Sequence, residues 1–254
     1  MRWKFISKAW VIADFEIRKI LHDPTEVLLR AVQPTLWLLI FGQVMARTRV
    51  IPGSNYLDFM SPGILAQSVL FVSIFYGIAI IWERDLGLTH KFLATPTPRT
   101  ALVLGKAISA GVRCIPLMII IYLLAALLSV HILLNPLYIA GEISLVILGA
   151  ILFSTFSLVI ACLVKTRERF MGIGQLMTMP LFFASNAIYP IDIMPDWLKV
   201  ISHFNPLTYM IDGMRFFMIG TPSVYSLLLD YSVLASTSAI LIIIGGDLYK
   251  RVII

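Results

Sequence analysis

The chain has 254 residues, 59% of them apolar and only 13% charged, with a mean hydropathy of +0.91. A soluble domain of this length carries about a quarter charged residues and somewhat under half apolar ones. The composition therefore excludes a soluble class and leaves an all-α polytopic membrane protein. The net charge of +6 does not point to nucleic acid, because the basic residues sit in short segments between apolar runs, as the positive-inside bias predicts.

Met1 to Arg30 mixes charged and apolar residues without an uninterrupted apolar core, so it does not read as a signal peptide. At 100° per residue, Phe5, Trp10, Ile17 and Leu21 fall on one half of a wheel and Lys4, Lys8, Arg18 and Lys19 on the other. The pattern predicts an interfacial helix over Lys4–His22, within a cytoplasmic segment 1–26. It is either a float on the membrane surface or a second contact for a cytoplasmic partner.

Six spans are predicted: Leu28–Ala46, Pro62–Ile81, Ala107–Val130, Ile143–Val164, Gly172–Tyr189 and Leu227–Gly246. Each is long enough for the roughly 30 Å of hydrocarbon at about 1.5 Å per residue. Of the Lys and Arg residues, fifteen lie on the side holding both termini and the loop Trp82–Lys106, against four on the other. That asymmetry puts both termini and the loop in the cytoplasm.

The loop Trp82–Lys106 is dense in charge, yet it carries Leu86, Phe92 and Leu93. A solvated turn has no use for those apolar residues. A short helix docking into a partner's groove does. Between the fifth and sixth spans, the segment 190–226 predicts two helices, Met194–Phe204 and Leu207–Met218, separated by Asn205-Pro206 and ending at Gly220. Each is too short to cross and too apolar for water, so a re-entrant pair in the outer half of the membrane is expected.

No phosphate-cradling G-x-x-x-x-G-K-[ST] is present, nor H-E-x-x-H, nor G-x-S-x-G. Cys114 and Cys162 both fall in predicted spans and are expected as buried free thiols, with no metal site. Within the spans Arg113 is the one central ionisable residue, with Glu142 and Asp230 near the outer ends. Arg113 snorkels to the headgroups, pairs at an inner gate or attracts an anionic headgroup. Ion-coupled carriers hold their ion with intramembrane carboxylates. Without one at the centre, the energy source is expected outside the chain.

Two multi-part motifs then carry a resemblance. The loop E-R-D-L-G-x-x-x-K-F-L-A-T-P-T-P-R, with Val103-Leu-Gly-Lys106, is similar to the region after the second span of ABC type-2 permeases. The outer segment Tyr189-Pro190, Met194-Pro195-x-Trp197-Leu198, Asn205-Pro206-Leu207-Thr208 and Asp212-Gly-Met-Arg215 resembles theirs in order. The closest branch is the drug-resistance and nodulation-type short exporter permeases, over essentially the whole chain as one domain.

The resemblance implies a membrane subunit without ATPase activity of its own, paired with a second copy and with two ATP-binding subunits that carry the ATP and magnesium. It implies a bacterial inner-membrane location and export of an amphipathic substrate, a drug, a lipid or a lipid-linked glycan. The alternative is a stand-alone ion-coupled carrier or channel. On the same carry-over, Glu83, Arg84, Asp85, Gly87, Phe92 and Leu93 contact the ATPase. Gln67, Phe71, Phe75 and Tyr76 on the second span line the substrate path, facing Gln175, Met179, Phe182, Phe183 and Asn186 on the fifth. Tyr189, Pro190, Trp197, Asn205, Pro206 and Arg215 form an outer gate, with Arg215 reaching Asp212 or a lipid phosphate.

Overall fold

In hydrocarbon every backbone N–H and C=O must find its partner within the protein, so the apolar runs fold as helices. The computed structural model describes residues 24–48, 55–86, 99–164 and 166–249. The interfacial helix expected over Lys4–His22 and the middle of the Trp82–Lys106 loop, with Gly87, Phe92 and Leu93, lie outside the described residues.

The first rod comprises α1 (Pro24–Leu36), a π-helical stretch Trp37–Gly42 and α2 (Gln43–Thr48). Pro34 lies inside α1 and has no N–H to give to the helical ladder. The wider π turns begin three residues later. There follow α3 (Tyr56–Asp85), α4 (Arg99–Leu127), α5 (Pro136–Leu163) and α6 (Arg167–Phe183). A 3-10 turn, Ile191–Ile193, leads to α7 (Asp196–Phe204), α8 (Pro206–Ile219) and α9 (Leu227–Leu248).

Two helices make the spine. α5 packs against α3, α4, α8 and α9, while α3 also meets α4, α6 and α8. The main core runs along them, through Met60, Ile64 and Leu70 of α3 and Leu145, Val146 and Phe153 of α5. The first rod and α9 lie at the periphery, with Leu29, Val32, Ile40, Ile240 and Ile243 exposed as lipid-facing residues would be.

Five described stretches are long and apolar enough to cross a membrane: Leu28–Arg47, Tyr56–Ala79, Leu102–Leu127, Pro136–Leu163 and Leu227–Leu248. The expected fifth span, Gly172–Tyr189, is not one of them. Its helix α6 has 17 residues, roughly 25 Å at 1.5 Å per residue, the lower limit for a span. The chain turns at Ala184, where the backbone leaves the helical region.

The helices also outrun the apolar stretches that predicted them. α3 starts six residues before Pro62, α4 takes in Arg99 to Lys106, and α5 begins at Pro136. Asn135 caps α5 by accepting from Leu137 N, with Pro136 at the first helical position. A helix ends where its backbone bonding ends, which is not where its hydrophobicity does.

Candidate functional site

The residues expected on the second span divide between a cleft and a polar knot. A cleft of about 150 Å³ opens between α1 and α3, lined by Arg30, Gln33, Gln67, Ser68, Phe71 and Phe75 among others. Phe71 and Phe75, one helical turn apart, have ring centroids 6.2 Å apart. Tyr76 turns the other way into the interior. Its hydroxyl is 3.0 Å from Ser109 Oγ, and the Arg113 guanidinium sits 5.1 Å from its ring centroid. Arg113 thus faces α3, an arrangement no hydropathy pattern reports.

The expected fifth-span residues do not share one environment. Gln175 and Phe183 are exposed and Met179 is half-buried. Phe182 is core: it packs edge-on against Trp37 of the first rod at 5.9 Å and against Phe183 at 5.3 Å. Asn186 lies beyond α6, buried in the turn that follows. α6 itself leans on α3, where Gly174 comes close to Ile74 and Phe75.

At the opposite end, α3 delivers the chain into the charged loop. Glu83 and Arg84 fall in its last turn. Arg167, at the start of α6, donates to Asp85 Oδ2 from Nη2 at 2.7 Å and from Nε at 3.1 Å. The same guanidinium lies 3.6 Å from the ring centroid of Trp82. Both side chains of the ion pair are about one-third exposed, so the pair adds at most about 1 kcal/mol of stability. Its consequence is geometric, because it ties the entrance of the loop to the first turn of α6.

The gate residues form a set of staples around the turn 184–190. Asn205 caps α8 by accepting from Leu207 N at 3.0 Å, and its amide donates to Leu181 O at 2.7 Å. Pro206 takes the first helical position of α8, and Pro190 precedes the 3-10 turn, its carbonyl accepting from Ile193 N at 3.4 Å. Tyr56 Oη donates to Ile188 O at 2.9 Å, and Tyr189 Oη bonds Phe183 O. Arg215 donates from Nη2 to Asn186 O at 2.9 Å and to Phe59 O at 3.4 Å, with its guanidinium 3.9 Å from the Phe59 ring centroid.

The hydrogen bonds of Arg215 therefore go to carbonyls, whereas the Asp212 carboxylate accepts from Val224 N and Tyr225 N at 3.1 and 2.9 Å. Burial draws the Arg215 pKa down to about 10, and Asp212 opposes the shift. It stays a cation at neutral pH. α8 is enclosed by α3, α5 and α9, but α7 is not. Trp197, Ile201 and Phe204, expected against other spans, are 66%, 48% and 84% exposed.

A sequence profile described as ABC-2 type transporter matches residues 7–219. The chain belongs to that family. It is 28% identical over 263 residues to the transport permease ycf38 of Cyanophora paradoxa, covering 98% of this chain and 90% of that protein. It is 22% identical over 230 residues to the daunorubicin resistance ABC transporter permease protein DrrB1 of Streptomyces coeruleorubidus, covering 91% and 81%. It is also 24% identical over 226 residues to the inner membrane transport permease YadH of Escherichia coli K12, covering 83% and 84%. Membership makes the chain an integral membrane permease and implies an ATP-binding subunit as its partner.

Two features of the permease escaped the sequence. The Arg167 tie joins residues 82 positions apart, beyond any local pattern. Glu142 and Asp230, set by hydropathy near the outer ends of their spans, are both fully buried. Neither carboxyl has a hydrogen-bond partner among the described residues. Gly213 of α8 lies beside Asp230, where a Cβ would be in ordinary contact with Oδ2 at 3.7 Å. The early clue was the rarity of acids inside apolar runs, which marks functional candidates.

Proposed function

We propose that this chain is the membrane subunit of an ATP-driven exporter, moving an amphipathic substrate out of the cytoplasm or the inner leaflet. It works as two copies with two ATP-binding subunits, which hold the ATP and magnesium. Both termini and the Trp82–Lys106 loop face the cytoplasm of a bacterial inner membrane, an orientation that rests on the Lys and Arg asymmetry. Glu83, Arg84, Asp85, Gly87, Phe92 and Leu93 meet the ATPase, and the turn 184–190 with α7 and α8 closes the outer side.

The observation that carries the reading is the Asp85–Arg167–Trp82 contact. A push on the loop reaches α3 directly and α6 through Arg167, so the two helices flanking the expected path move together. The test is a charge swap in the permease co-expressed with the ATPase of its host. Asp85→Arg is expected to abolish substrate-stimulated ATP hydrolysis with the permease still in the membrane. The pair Asp85→Arg with Arg167→Asp recovers part of it, since the tie to α6 returns while the carboxylate offered to the ATPase and the stack on Trp82 do not. Unchanged coupling in the single variant sinks the docking and transmission claim.

One observation favours the second reading, an ion-coupled carrier: Glu142 and Asp230 are buried carboxyls of the kind such carriers use. Transport by the purified chain in vesicles, with no ATPase present, would decide for it.

A further inference from the structure

We infer that Glu142 and Asp230 are proton-binding sites, loaded while the outer half of the bundle is closed and emptied when α5, α8 and α9 part there. The ligand is the proton itself. The inference goes beyond both readings of the energy source and stands under either.

Each carboxyl is enclosed and alone. Glu142 of α5 and Asp230 of α9 have no exposed surface, and their oxygens have no hydrogen-bond partner. α5 and α9 contain no Lys, Arg or His. Arg215, the one base of α8, gives its bonds to carbonyls, and Asp58 of α3 holds His131 at 2.9 Å. The groups within electrostatic reach are phenols and a further acid. Glu142 acts on Tyr122 of α4 and Tyr231 of α9. Asp230 acts on Tyr209, Tyr225 and Tyr231, and Asp212 of α8 acts on it in turn.

A carboxylate out of water with no cation beside it is so costly that the group takes up a proton instead. A metal ion would need a shell of several oxygens. No three acids, histidines or cysteines come together among the described residues to begin one. A proton needs no shell and no cavity. Asp212 shows the contrast: its carboxylate accepts from Val224 N and Tyr225 N, and bonds of that kind favour a charged carboxyl. Asp230 receives none, and a second charge there would face Asp212 across two helices in contact.

The consequence for motion follows from linkage. α5, α8 and α9 pack on one another, so parting them is what lets water reach the two carboxyls. Once wetted, they ionise at neutral pH as exposed carboxyls do. Opening thus releases protons and closing takes them up. Opening becomes easier as pH rises, by about tenfold per pH unit for each proton released.

Infrared difference spectra of the purified permease in dodecyl maltoside, parent minus variant, test the sites. At neutral pH, Glu142→Gln and Asp230→Asn are each expected to remove one carboxylic-acid carbonyl band and no carboxylate band. Exchanging potassium chloride for sodium chloride leaves both acid bands in place. Deuterium exchange of Tyr231 to Leu234, divided by the intrinsic rates at two pH values one unit apart, tests the link to opening. The opening constant is expected to rise about tenfold in the parent and to stay unchanged when both substitutions are combined.

Loss of a carboxylate band in either difference spectrum overturns the inference for that residue. An acid band bleached by sodium overturns it too, since the ligand would then be a metal ion. A pH-independent opening constant in the parent overturns the link to opening. Should a variant fail to fold, the parent chain is treated with dicyclohexylcarbodiimide, which adds to protonated carboxyls in apolar surroundings. The acid's proton passes to one carbodiimide nitrogen, its oxygen bonds to the central carbon, and acyl transfer to nitrogen leaves a stable N-acylurea. Peptide mass spectrometry is expected to find the adduct on Glu142 and on Asp230, and its absence from either overturns the assignment there. Transport in vesicles without an ATPase would sink the exporter proposal and leave these spectra as they stand.

Discussion

Arg215 shows what one side chain does for the outer face. It is buried, pinned to two carbonyls and laid on Phe59. Hydrogen bonds from a charged group contribute about 1.5–3 kcal/mol and a desolvated cation–π contact about 2 kcal/mol. Arg215→Met is therefore expected to lose about 3 kcal/mol, read as a lower thermal midpoint in detergent. Lys recovers only part of the loss, since an ammonium cannot both stack and reach Asn186 O. Gly63 makes the opposite demand, for absence of a side chain. A Cβ there would lie 2.4 Å from Ala187 O and 2.8 Å from Ala187 Cα. Those are backbone atoms that cannot step aside, so Gly63→Ala is expected to cost at least about 2 kcal/mol, with the turn 184–190 becoming protease-sensitive.

Among elements, the break between α7 and α8 was the most legible. Asn205-Pro206 predicts a break between two short helices, and the break is there, with Asn205 capping α8 and Pro206 in its first turn; Gly220 ends α8 at φ 73°, which a side chain would resist. Asn205→Ala removes the cap and the bond to Leu181 O. It is expected to cost about 1–2 kcal/mol, seen as faster hydrogen exchange at Leu207 to Met210 while α9 is unaffected. Span positions were legible too, because apolar runs are a direct consequence of hydrocarbon. Helix ends were not, since Asp85, Arg99 and Lys106 are charged and still helical. The fifth span was expected to run to Tyr189 because no proline or glycine follows Pro180 until Pro190, whereas the backbone turns at Ala184.

Across the whole molecule, the two readings of the energy source make different demands on Glu142 and Asp230. An ATP-driven permease does not need their charge. The isosteric pair Glu142→Gln and Asp230→Asn is expected to leave folding and ATP-dependent transport within about twofold of the parent, measured in proteoliposomes with the ATPase. Loss of transport with folding intact would favour ion coupling. Sequence patterning carried the fold class and the likeness to permeases, because both depend on composition and local order. It did not carry the pairing of Arg167 with Asp85, nor the cleft joining Arg30 to Gln67, because each brings together residues from separate helices.

The contact of Gly63 with Ala187 and the Asp85–Arg167 tie lie near opposite ends of α3. A plank nailed at both ends cannot be prised off along its length. If α3 and the segment from Arg167 to Ala187 travel as one plank, any crack that opens in this half of the bundle must run along its free edge, beside the first rod, where Pro34 and the π turns already loosen the helix.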